Sequence, residues 1–140
     1  MKTINDFDVR EKRVLVRCDF NVPIDEQGNI LDDFKIKEVL PTIGYLIQNE
    51  AKVILMSHLG RPEGEIKEEL RMEPIRKKLV QLLGSEVLMA PDCVGKEVEK
   101  MVKRMKPEEV VLLENLRFHK EEKENGESFS KGLARLADIY

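Results

Sequence analysis

The stretch VRCDFNVP, residues 16–23, decides how this chain is read. Residues two apart on a strand share a face. Val14, Val16, Cys18, Phe20 and Val22 therefore point one way, and Leu15, Arg17, Asp19 and Asn21 the other. The first face is apolar throughout and reads as core. The second begins apolar at Leu15 and turns polar toward the C-terminal end of the strand, and in open α/β sheets that end is where ligands bind. Taken alone, Arg17 and Asp19 serve equally well as a surface ion pair, which is common and weak.

Three further β-rich runs lie outward from this strand: KVILM (52–56), EVLM (86–89) and VVLL (110–113). The first and last of these are apolar at nearly every position, the pattern of strands buried on both faces of a parallel sheet. Helical patterns separate them. Ile36, Val39, Leu40, Ile43, Leu46 and Ile47 repeat at three and four, with Pro41 either in a first helical turn or kinking a longer helix. EPIRKKLVQLLG has Pro74 near its start and Gly84 past its end, the usual order of helix punctuation. Val98, Met101, Val102 and Met105 form a stripe that reads as core filling and stops before Pro107. Phe129, Leu133, Leu136 and Ala137 form the last helical face. Gln27-Gly28-Asn29 suggests a small hairpin or wide turn, and EGEIKEELRMEP and FHKEEKENGES read as charged, exposed connections. The order β-α-β-α-β-α-β-α implies parallel strands with crossover helices. The expected fold class is α/β, with helices on both faces of the sheet. Asp138-Ile139-Tyr140 reads as the approach to a further strand.

Bulk properties narrow the function. The 140 residues suit one domain. The net charge of −3 does not suggest a nucleic-acid binder. No apolar run approaches the ~20 residues of a membrane span, and the first residues, MKTINDFDVREKRV, carry charges and no apolar signal segment. Cys18 and Cys93 lack metal-ligand spacing, so no metal site is expected, and two free thiols fit a reduced, cytoplasmic setting. The position of Cys18 among apolar residues points to an inert core thiol.

Each strand is followed by polar residues of similar kind. Arg17, Asp19 and Asn21 close the first strand; SHLGRP, with His58, Gly60 and Arg61, follows the second; ENLRFH, with Arg117 and His119, follows VVLL. Parallel strands present their C-terminal ends on one edge, so Arg17, His58, Arg61 and Arg117 are expected to converge. Local positive charge on an acidic chain suits a small anion, arginine forks match carboxylate and phosphate, Asp19 and Asn21 can accept from a hydroxyl, and Gly60 lets backbone approach closely. His119, in a charged loop, reads as structural. Charged hydrogen bonds of ~1.5–3 kcal/mol each, less several kcal/mol for association, give roughly micromolar to millimolar affinity. Neither G-x-x-x-x-G-K-[ST] nor G-x-G-x-x-G is present, so no nucleotide site is expected in these residues.

RVLVRCDFNVP, LPTI, AKVILMSHLGRP and VVLLENLRFH, in this order and spacing, resemble the phosphoglycerate kinases, and the resemblance runs over essentially the whole chain. It implies a Rossmann-like N-terminal domain of a two-domain glycolytic kinase that moves a phosphoryl group reversibly between 1,3-bisphosphoglycerate and ADP, giving 3-phosphoglycerate and ATP with Mg2+. The glycerate ligand is implied at Arg17, Asp19, Phe20, Asn21, Lys35, His58, Leu59, Gly60, Arg61 and Arg117. The nucleotide and Mg2+ are implied in a C-terminal domain that these residues lack, and the full-length form is expected to be a monomer without nucleic-acid or membrane partners. One position departs from the family: Lys35 stands where an arginine usually contacts the ligand and the transferring group. Lysine keeps the charge and loses the planar fork, so weaker catalysis with substrate binding largely retained is expected.

On this reading residues 1–140 are a truncated substrate domain, inactive alone, with LADIY opening a strand that does not follow and with a sheet edge left open to aggregation. The alternative is a short, non-catalytic phosphoglycerate-binding module. An unrelated signalling receiver would need an acidic cluster at the strand ends, and these ends are mainly basic.

Overall fold

The computed structural model describes residues 8–60, 64, 68–119 and 127–139. Strands β1 (Arg13–Arg17), β2 (Lys52–Met56), β3 (Leu88–Met89) and β4 (Val110–Leu112) form one sheet in the order β1-β2-β4-β3. All three pairings are parallel, with Val14 opposite Val53, Ile54 opposite Val111 and Met89 opposite Leu112. Strand β2 is central, and its Val53, Ile54, Leu55 and Met56 are all fully buried. That burial on both faces is why KVILM carries no polar alternation.

The helices divide the core into two layers. Helices α1 (Phe34–Glu38), α2 (Leu40–Gln48) and α3 (Glu73–Leu83) place Ile36, Ile43, Leu46, Ile75 and Leu79 against Val14, Cys18, Phe20, Val53 and Leu55. Helix α4 (Lys96–Lys103) places Val98 and Val102 against Leu15, Ile54, Met56 and Val111. Leu136, just after α5 (Glu127–Ala134), is buried in the same layer, and Leu133 and Ala137 pack against it. The side chain of Phe129 lies outside what the structure describes. Alternate residues of β1 and β2 thus feed opposite cores, as the period of two requires.

Several local readings are refined. The apolar run at 36–47 is two helices joined at Val39, and Pro41 stands in the first turn of α2, where a missing N–H costs no hydrogen bond. Gly84 ends α3 in the left-handed region at φ 71°, its N–H donating to the Val80 carbonyl. The EVLM run contributes only Leu88–Met89 to the sheet, although Val87 is buried. The wide turn at Gln27–Asn29 is organised by Asp25, whose Oδ1 accepts from the N–H groups of Gln27 and Asn29 at 2.9 and 2.8 Å. The charged connection before α3 is not wholly exposed: Met72 is fully buried and Leu70 packs on the core. The second charged connection lies largely outside the described residues. Ile139 makes a parallel bridge to Val14, on the side of β1 away from β2. Asp138 fastens it, its carboxylate accepting from Arg13 N at 2.9 Å while its own N–H donates to Arg13 O at 2.8 Å. No helix among the described residues is long and apolar enough to cross a membrane.

Truncating Ile54 to alanine is expected to cost ~2–5 kcal/mol through lost burial and a residual cavity, read as a lower urea midpoint with an unchanged slope. A second expectation concerns acid. The backbone N–H of Arg13, followed by its guanidinium, holds the Asp138 carboxyl below the usual aspartate range. A lowered folded-state value stabilises above the ordinary range near pH ~4 and is lost as pH falls through it. Asp138→Asn is therefore expected to lose less stability than the parent between pH 7 and pH 3, and an identical loss contradicts this role.

Candidate functional site

The site forms at the C-terminal edge of the sheet, where the segments after β1, β2 and β4 are tied together through their backbones. Cys18 N donates to Met56 O at 2.8 Å, continuing the β1–β2 ladder. Phe20 N donates to Ser57 Oγ at 2.9 Å. Gly60 N donates to Asn21 Oδ1 at 3.0 Å, joining the first two segments again. Leu116 N donates to Ser57 O at 3.1 Å, joining the second and third.

The third segment is held by two buried polar side chains that pattern reading passes over. Asn115 is fully buried. Its Oδ1 accepts from Leu59 N and Arg117 N at 3.2 and 3.0 Å, and its Nδ2 donates to Leu59 O and Leu70 O at 2.7 and 3.0 Å. One amide thus fixes the loop after β2, the loop before α3 and the short 3-10 turn Leu116–Phe118 that carries Arg117. Glu114, also buried, accepts from Met72 N at 2.8 Å and Asn115 N at 2.9 Å and faces Arg71 at 3.5 Å. Arg71 in turn lies 5.5 Å over the Phe118 ring. A signal existed in the sequence, since Glu114-Asn115 directly follows a fully apolar strand, where polar residues need partners.

The expected ligand residues divide into two groups. Arg17, Asp19, Asn21, Lys35, His58, Gly60 and Arg117 are all at least partly exposed at this edge. Phe20 and Leu59 are core residues at 0% and 2% exposure. That corrects any expectation of ligand contact through their side chains: they anchor the loops that carry their neighbours. Arg61 lies outside the described residues. Lys35 reaches from α1 across to the first segment, its Nζ lying 3.3 Å from Asp19 Oδ2 and donating to Asn21 O at 3.3 Å. Asp19 Oδ1 accepts from Asn21 N at 3.2 Å. Because Asn21 Oδ1 is already engaged by Gly60, the Asn21 amide has its NH2 to offer, a donor rather than the acceptor expected from sequence. Gly60 sits at φ 64°, and a Cβ there would lie 2.7 Å from Leu70 Cδ2.

Burial pushes the Cys18 thiol up to about 12, a direction that disfavours the thiolate. Burial first, then the Asp92 carboxylate, pushes the Cys93 thiol up as well. His119 has a specific partner, its Nε2 standing 2.7 Å from Asp92 Oδ1.

Fold and site together define an α/β domain whose cationic and amide side chains gather at the carboxyl edge of a parallel sheet. The phosphoglycerate kinase family model matches residues 4–140, and the chain belongs to that family. It is 57% identical over 139 residues to a phosphoglycerate kinase of Hydrogenobaculum sp. and 55% identical over 139 residues to that of Aquifex aeolicus, covering 99% of this chain and 35% of each relative. The crystal structure of phosphoglycerate kinase from Pyrococcus horikoshii superposes with a TM-score of 0.87 at 34% identity, over 99% of this chain and 35% of that one. The chain therefore spans about a third of the length of the curated relatives it matches.

Replacing Asn115 by alanine is expected to cost roughly 3 kcal/mol or more, because several buried backbone groups lose their partner at ~1–3 kcal/mol each. Gly60→Ala is expected to destabilise by about 1–3 kcal/mol, since a side chain is strained at that φ. Chemical denaturation measures both, and a change below ~0.5 kcal/mol in either contradicts the geometry described.

Proposed function

We propose that this chain holds the glycerate ligand of a phosphoglycerate kinase, the glycolytic enzyme that exchanges a phosphoryl group between 1,3-bisphosphoglycerate and ADP to give 3-phosphoglycerate and ATP. The observation that carries the reading is the joining of three strand ends that bear Arg17, His58 and Arg117, reached from α1 by Lys35. In this reading Arg17, Arg117 and Arg61 bind the carboxylate and phosphate of the ligand, with His58 beside them. Asp19 accepts from its hydroxyl, the Asn21 NH2 donates, and the Gly60 backbone closes over it. The Lys35–Asp19 contact joins two exposed side chains, and such pairs contribute little. An arriving anion therefore takes Lys35 from Asp19 at small cost, and Lys35 is the group nearest in role to the transferring phosphoryl.

These residues do not suit the nucleotide or its Mg2+. Mg2+ takes oxygen ligands, typically carboxylates, phosphates and water, whereas the expected ligand residues are mainly cations and amides, and their Asp19 carboxylate already faces Lys35. The reading assigns ATP, ADP and Mg2+ to a separate C-terminal domain, makes residues 1–140 the substrate domain, and expects no phosphoryl transfer from them alone. A cytoplasmic, monomeric complete enzyme accords with this assignment. Phosphoryl transfer depends on positioning and on neutralising spread charge, and the chain supplies the donor half of that environment.

Calorimetric titration with 3-phosphoglycerate is expected to give micromolar to millimolar affinity, weakened about tenfold or more by Arg117→Ala. Undiminished binding in both Arg17→Ala and Arg117→Ala overturns the reading. In a chain that also carries the nucleotide domain, Lys35→Arg is expected to raise turnover by restoring the planar fork while leaving the ligand's affinity within a few-fold. An unchanged turnover number contradicts the role given to Lys35.

A further inference from the structure

A second cluster lies on the same edge of the sheet, beyond β3 and β4, and plays no part in the glycerate reading. Asp92 and Cys93 follow β3 by three and four residues, and His119 closes the 3-10 turn after β4. A carboxylate oxygen of Asp92, the Cys93 sulfur and a ring nitrogen of His119 all lie within 4.8 Å of one another. Twenty-five residues separate Cys93 from His119, so sequence spacing hid the grouping; the parallel pairing of β3 with β4 creates it. The two loops are also linked directly, Glu114 N donating to Asp92 O at 3.4 Å.

We propose that Asp92, Cys93 and His119 form a binding site for a borderline-soft divalent cation of the zinc type. Thiolate, imidazole and carboxylate are the three donor kinds zinc takes from proteins, at bond lengths of roughly 2.0–2.3 Å. A tetrahedron with such bonds has edges of about 3.3–3.8 Å, so small side-chain adjustments bring the three donors to an ion. The Cys93 side chain is buried at the inner end of the cluster, while His119 and Asp92 remain 28% and 46% exposed on the outer side. That leaves an approach for the ion and a fourth position for water. The thiol selects against Mg2+ and Ca2+, which require oxygen. Binding replaces the S–H bond of Cys93 with a metal–sulfur bond and releases one proton to solvent; nothing is oxidised or reduced. His119 N donates to Leu116 O at 3.2 Å, so the ion would also brace the turn that carries Arg117.

Titration of the chain with Co2+ alone tests the site, because a cobalt–thiolate bond absorbs in the near ultraviolet. The expected result is a charge-transfer band that saturates at one equivalent and is bleached by Zn2+. It should persist in Cys18→Ser, disappear in Cys93→Ser and show affinity at least about tenfold weaker in His119→Gln. Absence of the band in the parent chain overturns the proposal, as does a band that survives Cys93→Ser. Should Cys93→Ser not fold, His119→Gln decides alone: undiminished affinity there means an adventitious ion only and overturns the assignment. None of these outcomes depends on whether the chain binds 3-phosphoglycerate.

Discussion

The arrangement of loops at the carboxyl edge of this sheet depends on one buried amide. Asn115 bonds to both backbone groups of Leu59, to Leu70 O and to Arg117 N with no solvent to replace any of these contacts. Hydrogen bonds in such a setting are modest in net worth and expensive to leave unmade. The amide therefore acts less as a source of stability than as a geometrical constraint. It leaves the loops after β2 and β4 a single relative position, and that position brings His58 and Arg117 to the same edge. Glu114 extends the constraint to Met72 and the start of α3, so the site's floor is continuous with the core beneath it.

The sheet supplies the frame on which this constraint works. Strand β2 is buried on both faces and paired on both sides, to β1 and to β4. Three strand ends that are far apart in sequence become neighbours because of those two pairings. The chain is acidic as a whole, yet the placement gathers Arg17, His58 and Arg117 at these ends, with Lys35 reaching them from α1. Family membership and this placement support one another, because the segments that carry the family resemblance are the ones the sheet brings together.

Much of this was legible in the sequence for physical reasons. The apolar run Val53–Met56 suits a strand covered on both faces, and the alternation in VRCDFNVP separates core from site by period alone. Pro74 and Gly84 bracketed α3 because each is favoured at its own end of a helix. Other features left no local trace. The break at Val39 between α1 and α2 does not interrupt the apolar period, and Pro41 alone left open whether one helix kinks there or a second one starts. Glu11, Glu50 and Glu108 adopt left-handed conformations at φ 61°, 60° and 74°, positions where glycine would have been the signal. Leu59 sits inside a ligand-type motif, and only tertiary packing reveals that its side chain faces the core, whereas Phe20 lies on the face that the alternation already marks as core. The Asp92–Cys93–His119 grouping needs β3 and β4 side by side, which no spacing rule contains.

An amide chemical-shift map of the chain with and without 3-phosphoglycerate measures directly whether the ligand sits at this edge. Perturbations are expected to concentrate at residues 17–21, 57–60 and 115–117, with Lys35 among them. Saturable shifts centred elsewhere, for instance on the open cleft between Leu88, Pro91, Met101 and Met105, or no saturable shifts at all, would contradict it.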